Sequence, residues 1–315
     1  MTIDSGNLIR FKNAREKFSR DEIFIPENDI KPERVRRERA GRVTIGLALG
    51  SGAIRGFAHV GAISEFLKAG ITIGEIAGSS IGAIIGCLFG AGMDASQIVE
   101  VAPKIGRERI LDPGFPYISF FRGRKLKELL KYLFHRKLNV RRLEALKTKV
   151  FVTAVDILKG TPVIFREGDI VDVLMASCSV PMAFSPYEIA GGTYVDGGVL
   201  LPVPASILRG RGHEAIIGIN LGFGNLKKNV GNIFQVSGQT IITMGRKLID
   251  LQSDQSDITI TPEFGSIGYW EFGKIDRIIK IGRQAAREAA PGILSRIRAV
   301  SSSSPARIMT GSDNC

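Results

Sequence analysis

From Val43 onward the apolar residues fall into two alternating rhythms, short unbroken runs and longer runs spaced by three and four. Val43 to Leu49 is an apolar, β-branched run that ends in glycine, the pattern of a buried strand. Phe57 to Ala69 carries Val60, Ile63, Phe66 and Leu67 at helical spacing, and Gly70 is placed to close it. Ile73 to Gly78 predicts a second strand, and Ile81 to Ala91 an apolar helix. Lys125 to Phe134 and Asn139 to Leu146 read as surface helices. Lys149 to Leu158 and Pro162 to Arg166 flank a Lys159-Gly160-Thr161 turn and read as a hairpin. Asp169 to Ser177 is helical and stops before Pro181, and Tyr187 to Val195 forms a second hairpin about Gly191-Gly192. Glu214 to Leu221 and Asp257 to Thr261 are strands; Ile233 to Leu251 and Lys274 to Ala289 are helices, with a mobile link over Gly222 to Gly231. Strand and helix alternate without an internal repeat. That order predicts an α/β fold, a three-layer α/β/α domain with a mostly parallel central sheet and helices on both faces.

The rhythm is absent at both ends. Residues 1–41 read as a basic extension, in which Leu8, Phe11, Ala14 and Phe18 share helical spacing with Arg10, Lys12, Arg15 and Lys17 between them. This is a weak amphipathic pattern, suited to lying on an anionic membrane or to docking on its own domain. Lys31 to Arg42 is an arginine-dense linker. The domain proper spans 42–294, and 295–315, with four serines from Ser301, read as a disordered tail. Across 315 residues, 43 Lys and Arg against 31 Asp and Glu give a net charge of +12, which favours anionic partners. No zinc spacing or aromatic-basic repeat supports nucleic-acid binding. The longest apolar stretch, Ile81 to Met93, is shorter than the roughly 20 residues of a membrane span. Met1 to Asp4 does not open a secretory leader. Cys87, Cys178 and Cys315 cannot all pair, so reduced thiols and a cytoplasmic location, peripheral to the membrane at most, are expected.

The sharpest chemical signal is Gly78-Ser79-Ser80-Ile81-Gly82, entered by a strand and left by a helix. This is the setting of the nucleophile elbow G-x-S-x-G. Glycines at Gly78 and Gly82 let a tight strand-to-helix turn pack against itself, and the turn lifts Ser80 to the positive end of a helix. The plainer alternative is a helix N-cap, which Ser79 or Ser80 could equally fill. Gly50-Ser51-Gly52-Ala53-Ile54-Arg55-Gly56 is a second strand-to-helix loop whose free N–H groups could cradle a phosphate or an oxyanion. It falls short of the dinucleotide fingerprint because Arg55 stands at the third glycine, and Glu75, at the distance of a ribose-binding acid, precedes its strand. In Tyr194-Val195-Asp196-Gly197-Gly198, a carboxylate at a strand end could point into a cleft; an Asp-Gly turn is the commoner meaning.

A nucleophilic serine needs a base, and the histidines offer little. His59 lies on the first helix, His135 follows a surface helix, and His213 precedes its strand, whereas sites in open α/β sheets lie at the carboxyl ends. Asp196 is left as the candidate base, able to take the Ser80 proton if burial raises its pKa. Three other readings stay open. One is a Ser-His-Asp esterase with His213 and Asp156. Another is a nucleotide-binding protein built on the Gly50–Gly56 loop. The last is a membrane-binding module without catalysis.

In this order the motifs resemble the patatin-like phospholipases, in a bacterial branch, from about Val43 to Leu294. The stretches Ala176-Ser-Cys-Ser-Val-Pro181 and Asp196-Gly-Gly-Val-Leu-Leu-Pro-Val-Pro204 look like that branch as well. The resemblance implies a Ser-Asp dyad of Ser80 and Asp196 without histidine. It implies an oxyanion hole at Gly52, Ala53 and Arg55, although the plant loop has glycine where this chain has Ser51 and Ala53. It implies a lipid ester substrate of the phospholipase A or lysophospholipase type, with neither metal nor cofactor. It says nothing of oligomeric state.

Overall fold

Two strands in which every residue is buried, β1 (Ile45–Leu49) and β7 (Ala215–Ile219), pair in parallel at the centre of the sheet. Burial on both faces is why they read as continuous apolar runs. The computed structural model describes residues 44–101, 112, 119–223 and 229–303. The expected extension 1–41, the linker to Arg42, the start of the first strand at Val43, residues 224–228 of the Gly222–Gly231 link, residues 304–315 and Cys315 lie outside the described residues.

The other strands are β2 (Ile73–Ser79), β3 (Lys149–Asp156), β4 (Thr161–Phe165), β5 (Tyr187–Ile189), β6 (Gly192–Asp196) and β8 (Ile258–Ile260). Their order across the sheet is β5-β6-β3-β2-β1-β7-β8, with β4 also on β3. The run β3-β2-β1-β7-β8 is parallel, and the hairpin strands β4, β5 and β6 are antiparallel. The α/β fold and mostly parallel sheet are therefore as expected.

The two faces of the sheet are unequal. The larger core lies under α1 (Phe57–Lys68), α2 (Ile81–Gly90), α3 (Ala95–Val101), α4 (Arg124–Lys131), α5 (Ile170–Ser177) and α7 (Ile275–Ser303). There α1 and α7 touch backbone to backbone. A Cβ on Gly61 would lie 2.1 Å from Ile279 O, and one on Gly282 2.0 Å from Ala58 O, so only glycine permits this approach. The smaller core on the other face joins Ala48, Ala77, Phe151 and Ile216 to the segment carrying Leu201, Val203, Ala205, Ile207 and Leu208.

Several boundaries differ from expectation. α7 continues through Pro291 to Ser303 instead of ending at Ala289, so residues 295–303 are helical, and Ile293 and Ile297 hold it to the core. α4 passes into a wider π turn at Tyr132–Lys137. The helix expected over Asn139–Leu146 is only a 3-10 turn at Leu143–Ala145: Asn139 is left-handed, and Arg142 is extended and bridges to Asp169. The helix at Ala95–Val101 has no counterpart in the sequence reading. The last helix to be introduced, α6 (Ile233–Leu251), matches its expected bounds but scarcely enters either core.

Candidate active site

The strand β2 carries Gly78 and Ser79 to the carboxyl edge of the sheet, and the chain turns into α2 at Ser80. Ser80 has φ 56° and ψ −124°, a left-handed conformation that a residue with a Cβ adopts only when its surroundings impose it. The surroundings here are the two elbow glycines. A Cβ on Gly78 would lie 2.6 Å from Ala83 N and Cα, and one on Gly82 2.2 Å from Leu49 O. The Ser80 side chain makes no capping hydrogen bond to α2, so the N-cap role does not describe it. Its N–H donates instead to Ser177 Oγ at 3.0 Å, which ties the elbow to the end of α5.

Register decides what Ser80 meets. Residues 149–153 of β3 pair with β2, and residues 154–156 pair with β6. β4 overlaps both stretches, from Val152 to Asp156, and therefore occupies the opposite edge of β3. β6 thus takes over the edge that β2 leaves, with Ser79 opposite Thr153 and Asp196 opposite the next residue, Ala154. Two strands that end head to head bring Asp196 to the elbow. The paired glycines after it are sterically required: a Cβ on Gly197 would lie 2.2 Å from Thr153 Oγ1, and one on Gly198 2.3 Å from Ser51 Oγ. The dipeptide is not a hairpin turn, since that turn falls at Ala190-Gly191.

Asp196 is buried at 4% exposure. Its Oδ1 accepts the Gly198 N–H at 2.7 Å and the Ser51 hydroxyl at 3.4 Å. Its Oδ2 is buried and makes no hydrogen bond of ordinary geometry among the described residues. Burial raises the carboxyl pKa to about 6, against the lowering effects of the Ser80 hydroxyl, the Gly198 N–H and the Ser51 hydroxyl. Ser80 is therefore near enough to act on the carboxyl, and Oδ2 is the oxygen with room for a proton. Cys178 also lies beside the pair. Its burial and the Asp196 charge push the thiol far up, so it stays protonated and is no competing nucleophile.

The glycine loop runs alongside. Gly50 N–H donates to Ile219 O and Ser51 N–H to Pro202 O, while Ile54 N–H reaches Tyr269 O. Among the described residues, the N–H groups of Gly52 and Ala53 take no partner, and Ala53 is held at φ 46°. Arg55 does not extend this set, contrary to what the resemblance implies. Its N–H donates to Gly52 O, closing a 3-10 turn, and its guanidinium donates to Ile267 O and Leu221 O between the Phe264 and Tyr269 rings. Arg55 fixes the loop from behind.

The remaining expected residues lie elsewhere. The His213 side chain is fully buried near the amino ends of β1 and β2, its ring against Gly46 and Gly74, with Nε2 3.2 Å from Glu75 Oε2. Arg211 holds the same carboxylate at 2.6 and 3.2 Å, so Glu75 is a structural ion-pair partner and not a ribose ligand. A cavity of about 320 Å³ bounded by Leu208–Glu214, Asp257 and Arg296 is at that end too, away from Ser80. Asp156 accepts from the Leu158 and Lys159 N–H groups and the Lys159 ammonium. His59 donates from Nε2 to Gly50 O at 2.9 Å, and burial lowers its pKa to about 4, so it is a neutral prop for the loop. Sequence reasoning did not assign Ser51 and Ser177 their roles. Ser51 stood out only as a departure from glycine, and Ser177 only as part of the Ala176–Pro181 stretch. Among the described residues, no group of three or more His, Cys, Asp or Glu could hold a metal, and no helix is long and apolar enough to cross a membrane.

Together these features define an α/β protein with a strained serine elbow facing a buried carboxylate. Residues 47–209, slightly more than half of the 315, match the family model described as patatin-like phospholipase. The chain belongs to that family. It is 28% identical over 284 residues to an uncharacterized NTE family protein of Mycobacterium tuberculosis, covering 80% of this chain and 47% of that one. It is 28% identical over 189 residues to mouse patatin-like phospholipase domain-containing protein 6, covering 57% of this chain and 14% of that one. The chain therefore spans about half the length of the mycobacterial relative and a small part of the mouse protein. Among solved structures, VipD from Legionella pneumophila aligns over 79% of this chain and 67% of its own, at 12% identity and a TM-score of 0.45.

Proposed function

We propose that the protein hydrolyses carboxylic esters of lipids, as a phospholipase A or lysophospholipase, through a Ser80–Asp196 dyad. The observation that carries this reading is the abutment of β2 and β6 on one edge of β3, which sets a strained serine against a buried carboxylate with a free oxygen. Asp196 Oδ2 takes the Ser80 proton as Ser80 Oγ attacks the ester carbonyl. A carboxyl pKa of about 6 suits a base that must be ionised near neutral pH and still accept a proton. The negative charge of the tetrahedral intermediate falls to the free N–H groups of Gly52 and Ala53, with the amino end of α2 beneath Ser80. Removing one such donor typically costs on the order of 10²–10³ in rate. Asp196 returns the proton to the leaving alkoxide, then activates water to release the acyl group from Ser80. Histidine, metal and cofactor have no part in these steps. Cys87 and Cys178, buried as free thiols, fit the cytoplasmic location proposed with it.

The test is covalent labelling with a fluorophosphonate followed by peptide mapping. The label is expected on Ser80, and Ser80→Ala is expected to abolish p-nitrophenyl butyrate hydrolysis while unfolding at the wild-type temperature. Label on another residue, or turnover retained in the folded Ser80→Ala protein, would overturn the assignment.

A further inference from the structure

Of the nineteen residues of α6, only Gly245 is buried among the described residues. Ile233, Val236, Met244 and Leu251 are 74%, 49%, 61% and 65% exposed. At 100° per residue these four fall on one stripe of the helix, the stripe that a helix of a soluble domain ordinarily turns inward. At the first turn, Phe234 meets Phe120 with ring centroids 5.4 Å apart. Next in the chain, Phe121 meets Trp270 at 6.4 Å, and Trp270 meets Phe272 at 6.4 Å. The Phe120–Phe234 pair and the Phe121–Trp270–Phe272 set meet through the chain at Phe120–Phe121 and form one aromatic line, in which Phe120, Phe234 and Trp270 are exposed while Phe121 and Phe272 pack partly on the core.

Both parts of that line are tied by backbone hydrogen bonds to segments that also reach the site. The Phe120 and Phe121 N–H groups donate to Met182 O and Ala183 O, in the segment that leaves Cys178 and Ser179 beside Asp196. Trp270 follows Tyr269, whose carbonyl accepts the Ile54 N–H of the glycine loop. α6 is fixed to the same region where Gln252 Nε2 donates to Leu200 O and the Phe223 ring lies against Gly245. Cations exceed acids around the patch: Arg122 stands beside Phe120 and Phe121, Arg124 there is paired with Asp112, Glu271 between Trp270 and Phe272 is paired with Lys274, and α6 carries Arg246 and Lys247 against Asp250.

We propose that this face, the aromatic line with the outward stripe of α6, seats the protein on an anionic lipid surface and presents the ester to Ser80. The inference rests on the lipid hydrolase reading and adds where, and by what charge, the enzyme meets its substrate. Aromatic rings settle at the headgroup level, aliphatic side chains enter the acyl boundary, and arginine and lysine meet anionic headgroups. The sign of the surrounding charge selects an anionic surface over a neutral one.

Trp270 is the single tryptophan of the chain and reports on the patch directly. Its fluorescence, in the full chain, is titrated with phosphatidylcholine vesicles with and without phosphatidylglycerol. A blue shift on the anionic vesicles and little change on the neutral ones is expected. Ile233→Glu and Met244→Glu should each weaken vesicle affinity and vesicle phospholipid turnover by roughly tenfold or more, the scale of losing a large apolar side chain from an apolar contact. Turnover of soluble p-nitrophenyl butyrate should not change. An equal response to neutral vesicles, or variants that bind like the wild type, would overturn the proposal. So would a lipid-free spectrum already blue-shifted in a dimer, which would make the face a contact between copies. Failure of the dyad reading looks different: Ser80→Ala would still turn over the soluble ester, with vesicle binding intact.

Discussion

Removing the Ser51 hydroxyl should move the acid limb of activity upward in pH. That hydroxyl has one proton and two acceptors, Ser79 Oγ at 3.0 Å and Asp196 Oδ1 at 3.4 Å. The second distance is at the outer limit of a hydrogen bond, so it earns only part of the roughly 1.5–3 kcal/mol of a well-formed bond to a charged group. We assign it about 0.7 kcal/mol, which at about 1.4 kcal/mol per pKa unit is about half a unit. A hydrogen bond to the ionised form holds the carboxyl pKa down, so its loss raises it. With Asp196 as the proposed base, activity requires its carboxylate and should appear as pH rises through that pKa. The kcat/KM for a soluble p-nitrophenyl ester, which reports the free enzyme, should therefore rise through a midpoint of about 6 in the wild type. In Ser51→Ala the midpoint should lie about half a unit higher, with the plateau retained. The Gly198 N–H still holds Oδ1 at 2.7 Å, so the carboxyl keeps its orientation. A limb that stays in place or moves to lower pH refutes the account of how Asp196 is tuned. A wild-type profile with no acid limb near that midpoint refutes Asp196 as the base.

Other outcomes follow from the same geometry. Asp196→Asn should lower kcat by about 10²–10⁴, while folded His213→Ala keeps wild-type kcat; a steady-state comparison with the reverse result would restore a histidine-dependent triad. Gly82→Ala forces a Cβ to within 2.2 Å of Leu49 O. It should cost about 1–3 kcal/mol in urea unfolding, and an unshifted midpoint would mean that the elbow is looser than described. Arg211→Ala takes from the buried Glu75 carboxylate its guanidinium partner at 2.6 Å, leaving it beside His213 and within reach of the Arg166 charge. Loss of about 3–5 kcal/mol of stability is expected, with the acid limb of soluble-ester hydrolysis unmoved; a shifted limb would link this distant cluster to the dyad.

What local chemistry dictates was legible in the chain. The elbow could be read from five residues because its sequence carries the tight turn itself, with Gly78 answering to Ala83 within that turn, although Gly82 answers to Leu49 at the end of the neighbouring strand. The parallel strands could be read because burial on both faces leaves no polar alternation. The end of α7 could not. The sequence reading closed it at Ala289, yet Ile293 and Ile297 bury against the core and carry the helix on through Pro291. Nor could the position of Arg55 be read, since its partners Leu221 and Ile267 are far along the chain.

The sequence alone determined the α/β alternation, the strand-elbow-helix around Ser80, and the carboxylate followed by two glycines. Only the tertiary structure decided that β6 continues the edge of β3 where β2 stops, and so that Asp196, and neither Asp156 nor His213, faces the serine. It also decided that Ser51 bridges the loop to the carboxylate, and that the apolar stripe of α6 turns outward. A periodic pattern specifies which face of an element is apolar. It does not specify the partner, because strand pairing and helix docking join residues distant in the chain, such as Ser79 with Thr153 and Ala154 with Asp196, and are settled by the packing of the whole domain.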